Sequence, residues 1–235
     1  MISINGKVIS GKSVTMVNGR IINGGEIRKK KLQKFDERKS EKGKNIDKIL
    51  IDTIADVNVS ISNSSKIEAH LYGKAEIDWD INFDVQVVNR ELRITLRPVV
   101  GFNGKLKLDI TVPQRTFKVI SAKSLSADIT LNEGVSAEHL IAETVAGDLE
   151  TSATANNVSI STVSGDVDLC INAINDISVD VSTVSGDVSA TFNNIVHINL
   201  SASSVSGRVK NHHRSSNGYT ADVDISTTSG DIIVS

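Results

Sequence analysis

Apolar residues in the second half of the chain follow a pattern that changes phase at regularly spaced glycines. Seven and five residues before each glycine the side chain is apolar, which is the alternation of a β-strand with one buried face. Beyond the glycine the apolar side chains take the opposite parity, so a strand enters a tight corner and leaves it with its faces exchanged. These glycines are Gly147, Gly165, Gly186, Gly207 and Gly230.

Each corner carries a copy of one motif, Ser/Thr-Val-Ser-Gly-Asp-Val. An earlier copy has Ala127 in the glycine position, and residues 53–57 form a shortened copy. Repeats of about 20 residues that cannot bury an apolar face alone must stack on one another. The sequence therefore predicts an all-β fold, a single-stranded β-solenoid with stacked coils. The five copies after Ala127 begin at Thr144, Thr162, Thr183, Ser204 and Thr227.

The solenoid domain is predicted to cover residues 46–235, in two parts. Residues 121–235 hold the regular repeats, and residues 46–120 hold irregular N-terminal coils and a cap. In the irregular part, alternating strands are interrupted by a hairpin signal between Val88 and Leu92. Larger side chains are expected to close this end of the solenoid, namely Trp79, Phe83 and Phe102.

The N-terminal segment differs from the body in both pattern and charge. Residues 1–24 contain Asn5-Gly6 and Asn18-Gly19 between apolar residues, the strongest short hairpin signal, and predict a small β-ribbon. Two strands are marginally stable alone, so the ribbon is expected to dock on the body or on another chain. Residues 25–45 are rich in Lys and Arg and have no sustained apolar period, which predicts a solvated linker.

Charge is divided unevenly along the chain. Residues 1–48 carry a net charge of +8 and the remainder −10, although the whole chain is only −2. A basic run can contact phosphates of nucleic acid or of anionic lipid. A soluble connector, or an arm lying on the acidic body, is the favoured interpretation of this run. Its centre is Arg28, Lys29, Lys30 and Lys31.

Composition excludes several classes of protein. Aromatic residues make up 3% of the chain, so the core must be thin and aliphatic. Cys170 is the single cysteine, which excludes an intrachain disulfide scaffold. The sequence shows neither the apolar core of a signal peptide nor an apolar stretch of membrane-spanning length, so a cytoplasmic location is the expectation.

No catalytic constellation or cofactor site is predicted. The five histidines are scattered, and His212 and His213 fall in the longest insertion between repeats, which indicates a surface loop. The Ser-Gly-Asp triplets differ from a nucleophile elbow, which needs Gly-x-Ser-x-Gly on a strand-to-helix turn. We therefore predict no enzymatic activity.

The corner aspartates are the one candidate for ion binding. Stacked coils bring equivalent residues to a spacing of about 4.8 Å. Carboxylates at that spacing repel one another, so their charges need compensation. Capping of backbone amides, with Arg208 paired to Asp187 and Asp231, is the favoured explanation, and bound Ca²⁺ is the alternative. The column consists of Asp128, Asp148, Asp166 and Asp187, followed by Arg208 and Asp231.

Together, these repeats resemble a known family. The repeated Val-Ser-Gly-Asp-Val, with Leu106-Lys-Leu-Asp-Ile-Thr-Val-Pro113 and Thr53-Ile-Ala-Asp-Val-Asn-Val ahead of it, is similar to the bacterial putative-adhesin family of β-strand repeats, also called toast-rack domains. The resemblance covers roughly residues 46–235. It implies a stacked β-strand body, often displayed at the cell envelope, in a family whose function is largely unknown.

The function predicted from the sequence is a non-enzymatic structural or interaction module that presents a flat solenoid surface to a protein partner. The alternatives are a carbohydrate-active β-helix enzyme, or a regulatory module that contacts anionic lipid or nucleic acid through the basic linker. Residues 231–235 form an apolar last strand, which predicts an unpaired sheet edge. We therefore expect a homo-oligomer in which the N-terminal ribbon covers this edge.

Overall fold

A computed structural model describes residues 32–76, 82–97, 103–214 and 218–235, together with four short strands near the N-terminus. Those strands form two antiparallel hairpins, each a separate two-stranded sheet, within residues 1–24. The first contains β1 (Ile2–Ile4) and β2 (Lys7–Ile9), and the second contains β3 (Thr15–Val17) and β4 (Arg20–Ile22).

Two β-sheets face each other across a thin apolar core. In spatial order, the first sheet contains β9 (Phe83–Val88), β10 (Glu91–Leu96), β6 (Lys48–Thr53), β12 (Thr116–Ser124), the second halves of β13 (Ile129–Glu143) and β14 (Leu149–Ser164), β16 (Ile177–Ser185), β20 (Tyr219–Ser229) and β18 (Ile195–Ser206). The second sheet contains β5 (Leu32–Lys42), β8 (Lys66–Glu76), β11 (Asn103–Pro113), β7 (Asp56–Ser62), the first halves of β13 and β14, β15 (Val167–Asn172), β17 (Val188–Asn193), β21 (Ile232–Val234) and β19 (Val209–Asn211).

Strands within each sheet are parallel except for β9, which is antiparallel to β10, and β8, which is antiparallel to both β5 and β11. Each coil therefore supplies one strand to each sheet, and equivalent residues stack in register, as Val158, Val179 and Val223 do. Apolar side chains of the predicted parity are buried between the sheets. The prediction of an all-β solenoid is confirmed. No helix in the described part of the chain is long and apolar enough to cross a membrane.

Chain order and spatial order differ at both ends of the solenoid. Strands β6 and β7 lie inside β10 and β11, which follow them in the sequence. At the other end, β20 and β21 lie between β16 and β17 on one side and β18 and β19 on the other. The prediction that residues 231–235 form an unpaired edge is therefore wrong, because Ile232 pairs with both Val188 and Val209.

The predicted linker is partly a strand. Residues 32–42 form β5, which pairs antiparallel with β8 along its whole length. A backbone ladder does not need an apolar side-chain pattern, and charged side chains suit the edge of a sheet. Phe35 of this strand packs against the apolar core. A short 3₁₀ helix, Gly43–Asn45, then connects β5 to β6, and the prediction of a linker is wrong for residues 32–42.

The irregular N-terminal coils close one end of the solenoid. The predicted hairpin joins β9 to β10, with Asn89 and Arg90 at positive φ as a tight two-residue turn requires. Phe83 is buried as expected, whereas Trp79 and Phe102 lie outside the described residues. Arg115 lies over the ring of Phe117 and donates a hydrogen bond to the carbonyl of Gly43 at 2.7 Å.

Candidate interaction surface

The corner aspartates form a continuous hydrogen-bonded ladder. The Asp128 carboxylate accepts a bond from the backbone N–H of Asp148 at 2.9 Å, and Asp148 accepts one from Asp166 at the same distance. Asp166 accepts from the amide of Asp187 at 2.9 Å, and Asp187 accepts from that of Asp231 at 2.7 Å. Each of these carboxylates accepts a bond from the backbone amide of the next coil, so the predicted capping at the corner is confirmed.

Arg208 ends this ladder. Its backbone N–H donates to Asp231 Oδ1 at 2.8 Å, and its guanidinium lies 2.6 Å from Asp231 Oδ2. The hydrogen bonds from Arg208 lower the pKa of the Asp231 carboxyl below its ordinary value. The prediction that Arg208 pairs with both neighbours is wrong, because Asp231 lies between Arg208 and Asp187. Arg208 belongs to the outermost coil. A carboxylate at this position would have no amide of a further coil to accept a hydrogen bond from.

The aspartate ladder offers little to a divalent cation. Each coil brings one carboxylate to the corner, and one oxygen of each already accepts an amide bond. Calcium takes six to eight oxygen ligands in most protein sites. Within the parts of the chain that the structure describes, no group of three or more His, Cys, Asp or Glu side chains is placed to hold a metal ion. Calcium binding by Asp148, Asp166, Asp187 and Asp231 remains the less favoured alternative.

Replacing Arg208 by Asp should lower the melting temperature slightly at pH 7, because two carboxylates would then adjoin at the end of the ladder. The pKa of Asp231 is lowered in the fold, so its contribution is present above its unfolded pKa and is lost as the pH falls through the native value. The variant should therefore lose part of this acid dependence in thermal melts. Calcium and chelator should leave both proteins unchanged, and a melting temperature that rises by many degrees with Ca²⁺ would contradict the structural role.

Two residues of the motif lie beneath the corner. The Thr144 hydroxyl points inward and donates to the carbonyl of Ala127 at 3.2 Å, and Thr162 donates to Gly147 at 3.4 Å. Glycine is required because the corners of successive coils nearly touch. A Cβ atom added to Gly165 would lie 2.0 Å from the carbonyl oxygen of Gly147. Threonine and glycine therefore serve the stacking of coils.

The apolar residue between them has no such role, because it points outward. Residues at this position, two before the glycine, are between 47% and 84% exposed. Their coils are adjacent, since the carbonyl of Val145 accepts a bond from the amide of Ser164 at 2.9 Å. They form an apolar line beside the aspartate ladder at a spacing of about 4.8 Å, interrupted by Thr228. We call this line the corner ridge; it consists of Leu125, Val145, Val163, Val184 and Val205.

A shallow groove of about 420 Å³ follows the ridge on the outer face of the first sheet. Leu125, Val145 and Val163 form its apolar wall. Lys123 and Glu143, which lie 2.7 Å apart, form part of the polar side. The sequence analysis missed this surface although its parity was readable. Residues seven, five and three before each glycine face inward, so the residue two before it must face outward.

Other candidate residues do not assemble into a site. His70 lies 2.8 Å from Asp36 and stacks on Tyr72, on the outer face of the second sheet. Cys170 is a free thiol of intermediate exposure. His212 is exposed in the long insertion, as predicted. The centre of the basic run lies outside the described residues; it consists of Arg28, Lys29, Lys30 and Lys31.

Stacked parallel coils, a glycine corner and a capped aspartate at each turn define the protein as a two-sheeted β-solenoid. The sequence profile of the Toastrack DUF4097 family matches residues 46–235, and the chain belongs to this family. Strand β5 and the two N-terminal hairpins lie outside that match. No sequence among curated proteins matches the chain.

Solved structures show the same fold. A putative cell adhesion protein from Clostridium sporogenes superposes with a TM-score of 0.53 at 11% identity, covering 86% of this chain and 99% of that one. A putative adhesin from Bacteroides fragilis has a TM-score of 0.51 at 21% identity, covering 88% of this chain and 98% of that one. At such identities the likeness is one of fold.

Proposed function

We propose that this chain is a non-enzymatic interaction module that binds a protein partner along the corner ridge. The observation that carries the proposal is the repeated exposure of an apolar side chain at a position where the fold has no use for one. Val163 and Val184 are about half exposed, whereas the inward Thr162 and Thr183 beside them are buried. A line of exposed apolar side chains is typical of a binding surface.

Charge indicates the chemistry of the partner. The aspartate ladder runs directly beside the corner ridge, and the body carries a net charge of −10. A complementary segment would place apolar side chains on the ridge and Lys or Arg against the carboxylates. Because coils stack rigidly, the positions repeat at about 4.8 Å, which suits an extended strand or a flat sheet laid along the solenoid axis.

Photo-crosslinking in the cells that make the protein tests whether a partner binds the corner ridge. A photoreactive residue at Val163 is expected to give one discrete adduct, and the double variant Val145→Thr, Val184→Thr should lose it. Threonine keeps the shape and strand preference of valine, so the melting temperature should stay unchanged. The matched control is Glu150→Gln, exposed on the outer face of the second sheet, which should keep the adduct. An adduct that survives the double variant would contradict the proposal.

The family resemblance favours an adhesin-like role at the cell envelope over the cytoplasm. Cell fractionation of the full-length protein tests this location. Contact of anionic lipid or nucleic acid with Arg28, Lys29, Lys30 and Lys31 is the alternative for the basic segment. It predicts binding to anionic vesicles or DNA that weakens steeply with salt. A carbohydrate-active enzyme is the remaining alternative, and no geometry of the described residues favours it.

A further inference from the structure

His70 assembles with none of the other candidate residues, but it lines a polar cavity on the outer face of the second sheet. The cavity has a volume of about 440 Å³ and lies over β5, β8 and β11. The antiparallel ladders between these strands place its polar side chains in two rows of three. The rows are Arg38, His70 and Asp109, and Ser40, Glu68 and Thr111.

Neighbouring side chains hold the central groups of the cavity in position. Asp36 Oδ1 lies 2.8 Å from His70 Nε2, and the ring of Tyr72 stacks on the imidazole with centroids 4.7 Å apart. Asp109 accepts a hydrogen bond from Asn58 Nδ2 at 3.2 Å and is hydrogen-bonded to the Tyr72 hydroxyl as well. Groups fixed in this way on paired strands lose little conformational freedom when a ligand binds.

The chemistry of the cavity favours a neutral ligand with several hydroxyl groups. Arg38 and Glu68 are exposed at the cavity, and Asp109 is partly buried. An ion would be attracted by one sign of charge and repelled by the other, and it would still lose hydration. A hydroxyl both donates and accepts hydrogen bonds, so a ligand with several hydroxyls can donate to the carboxylates and accept from the guanidinium.

The spread of these groups indicates the size of the ligand. Arg38 and Asp109 stand on the two sides of β8, at two strand spacings or about 9.6 Å. A sugar ring carries hydroxyls on opposite sides and can reach both strands at once, whereas an amino acid holds its two charges close together. The volume of the cavity lies within the range of small-molecule sites and accommodates one or two sugar units.

We propose that this cavity binds a neutral saccharide, with Arg38 donating to the sugar and with Glu68 and Asp109 accepting from its hydroxyls. The site is one of binding rather than hydrolysis. A glycosidase needs one carboxyl kept protonated by apolar surroundings, whereas Glu68 is exposed and Asp109 is hydrogen-bonded to Asn58. The inference is independent of the corner ridge, because none of the ridge residues lines the cavity.

Saturation-transfer difference NMR on the full-length protein tests the proposal. The probes are glucose, galactose, mannose, N-acetylglucosamine, maltose, cellobiose and lactose, each titrated until the response saturates. We expect saturable binding of at least one of them. Glucuronate, glucosamine and glycine are the charged comparisons, and each should bind more weakly than the best neutral sugar.

Two variants locate the binding. Glu68→Gln and Arg38→Met should each raise the dissociation constant of the best sugar about tenfold, because each removes a charge-assisted hydrogen bond. Both side chains are exposed, so the melting temperatures should stay at the wild-type value. The matched control is Glu150→Gln, the same change on the outer face of the same sheet but outside the cavity, and it should bind as the wild type does.

Three results would overturn the proposal. The first is that no neutral sugar of the panel binds to the full-length protein. The second is that both cavity variants bind the sugar as tightly as the Glu150→Gln control does. The third is that glucuronate, glucosamine or glycine binds more tightly than every neutral sugar, which would assign the cavity to a charged ligand.

Discussion

Replacing Val181 by Asp is expected to unfold the solenoid. Val181 is fully buried in β16, between Ile160 and Ile225 of the adjacent coils. An unpaired carboxylate at such a site costs several kcal/mol, comparable with the whole stability of about 5–15 kcal/mol of a folded domain. Circular dichroism and thermal melts should show loss of the strand signal and of a cooperative transition.

The matched control lies three residues along the same strand. Val184 is 50% exposed on the corner ridge, so Val184→Asp should change the free energy of unfolding by only about 0.5 kcal/mol. Equal melting temperatures for Val181→Asp and the wild type would contradict the inward assignment of the strand. A strong effect of Val184→Asp would show instead that the ridge is part of the core.

Replacing Gly186 by Ala should have the second largest effect. A Cβ atom there would lie 2.0 Å from the carbonyl oxygen of Gly165, which is backbone and cannot rotate away. Overpacking usually costs about 1–3 kcal/mol, and we expect the upper end or more because the two coils would have to separate. Urea unfolding should show a lower midpoint with an unchanged slope.

Ser185→Ala provides the comparison for this substitution, since it changes an exposed neighbour without adding volume. Its midpoint should stay close to that of the wild type. If Gly186→Ala unfolds at the wild-type midpoint, the close approach of successive corners is not what holds glycine at this position. The first repeat, with Ala127 in the glycine place, indicates that the end of the ladder tolerates a Cβ.

Much of the corner was predictable because its rules are local. Parity along a strand determines which side chains of residues 177–188 face the core, and Asp capping follows from the need to satisfy amides at a turn. The same parity pointed to the exposed Val184, but an exposed valine is not conspicuous until its neighbours in adjacent coils line up beside it. The corner ridge exists as a surface only because stacking of the coils places these repeated residues side by side.

The order of coils at the C-terminal end was not predictable from periodicity. Strands β18 and β20 have similar patterns, so either could have been outermost. Buried area favours placing the wholly apolar β21 inside β19, which contains Lys210 and Asn211, and Arg208 suits the end of the aspartate ladder. Arg208 was visible in the sequence as the one basic residue in the column, and it was the available sign that its coil is terminal.

Strand β5 shows a second feature that the side-chain pattern did not predict. Its charged side chains predicted a solvated linker, yet its backbone pairs with β8 because the edge of that sheet offers unpaired amides and carbonyls. The sequence by itself determined the repeat, the inward and outward faces of each strand and the glycine corner, because these depend on neighbours along the chain. Only the tertiary structure decided which coils are terminal and which edges are covered, because those choices depend on the total surface buried between segments far apart in the chain.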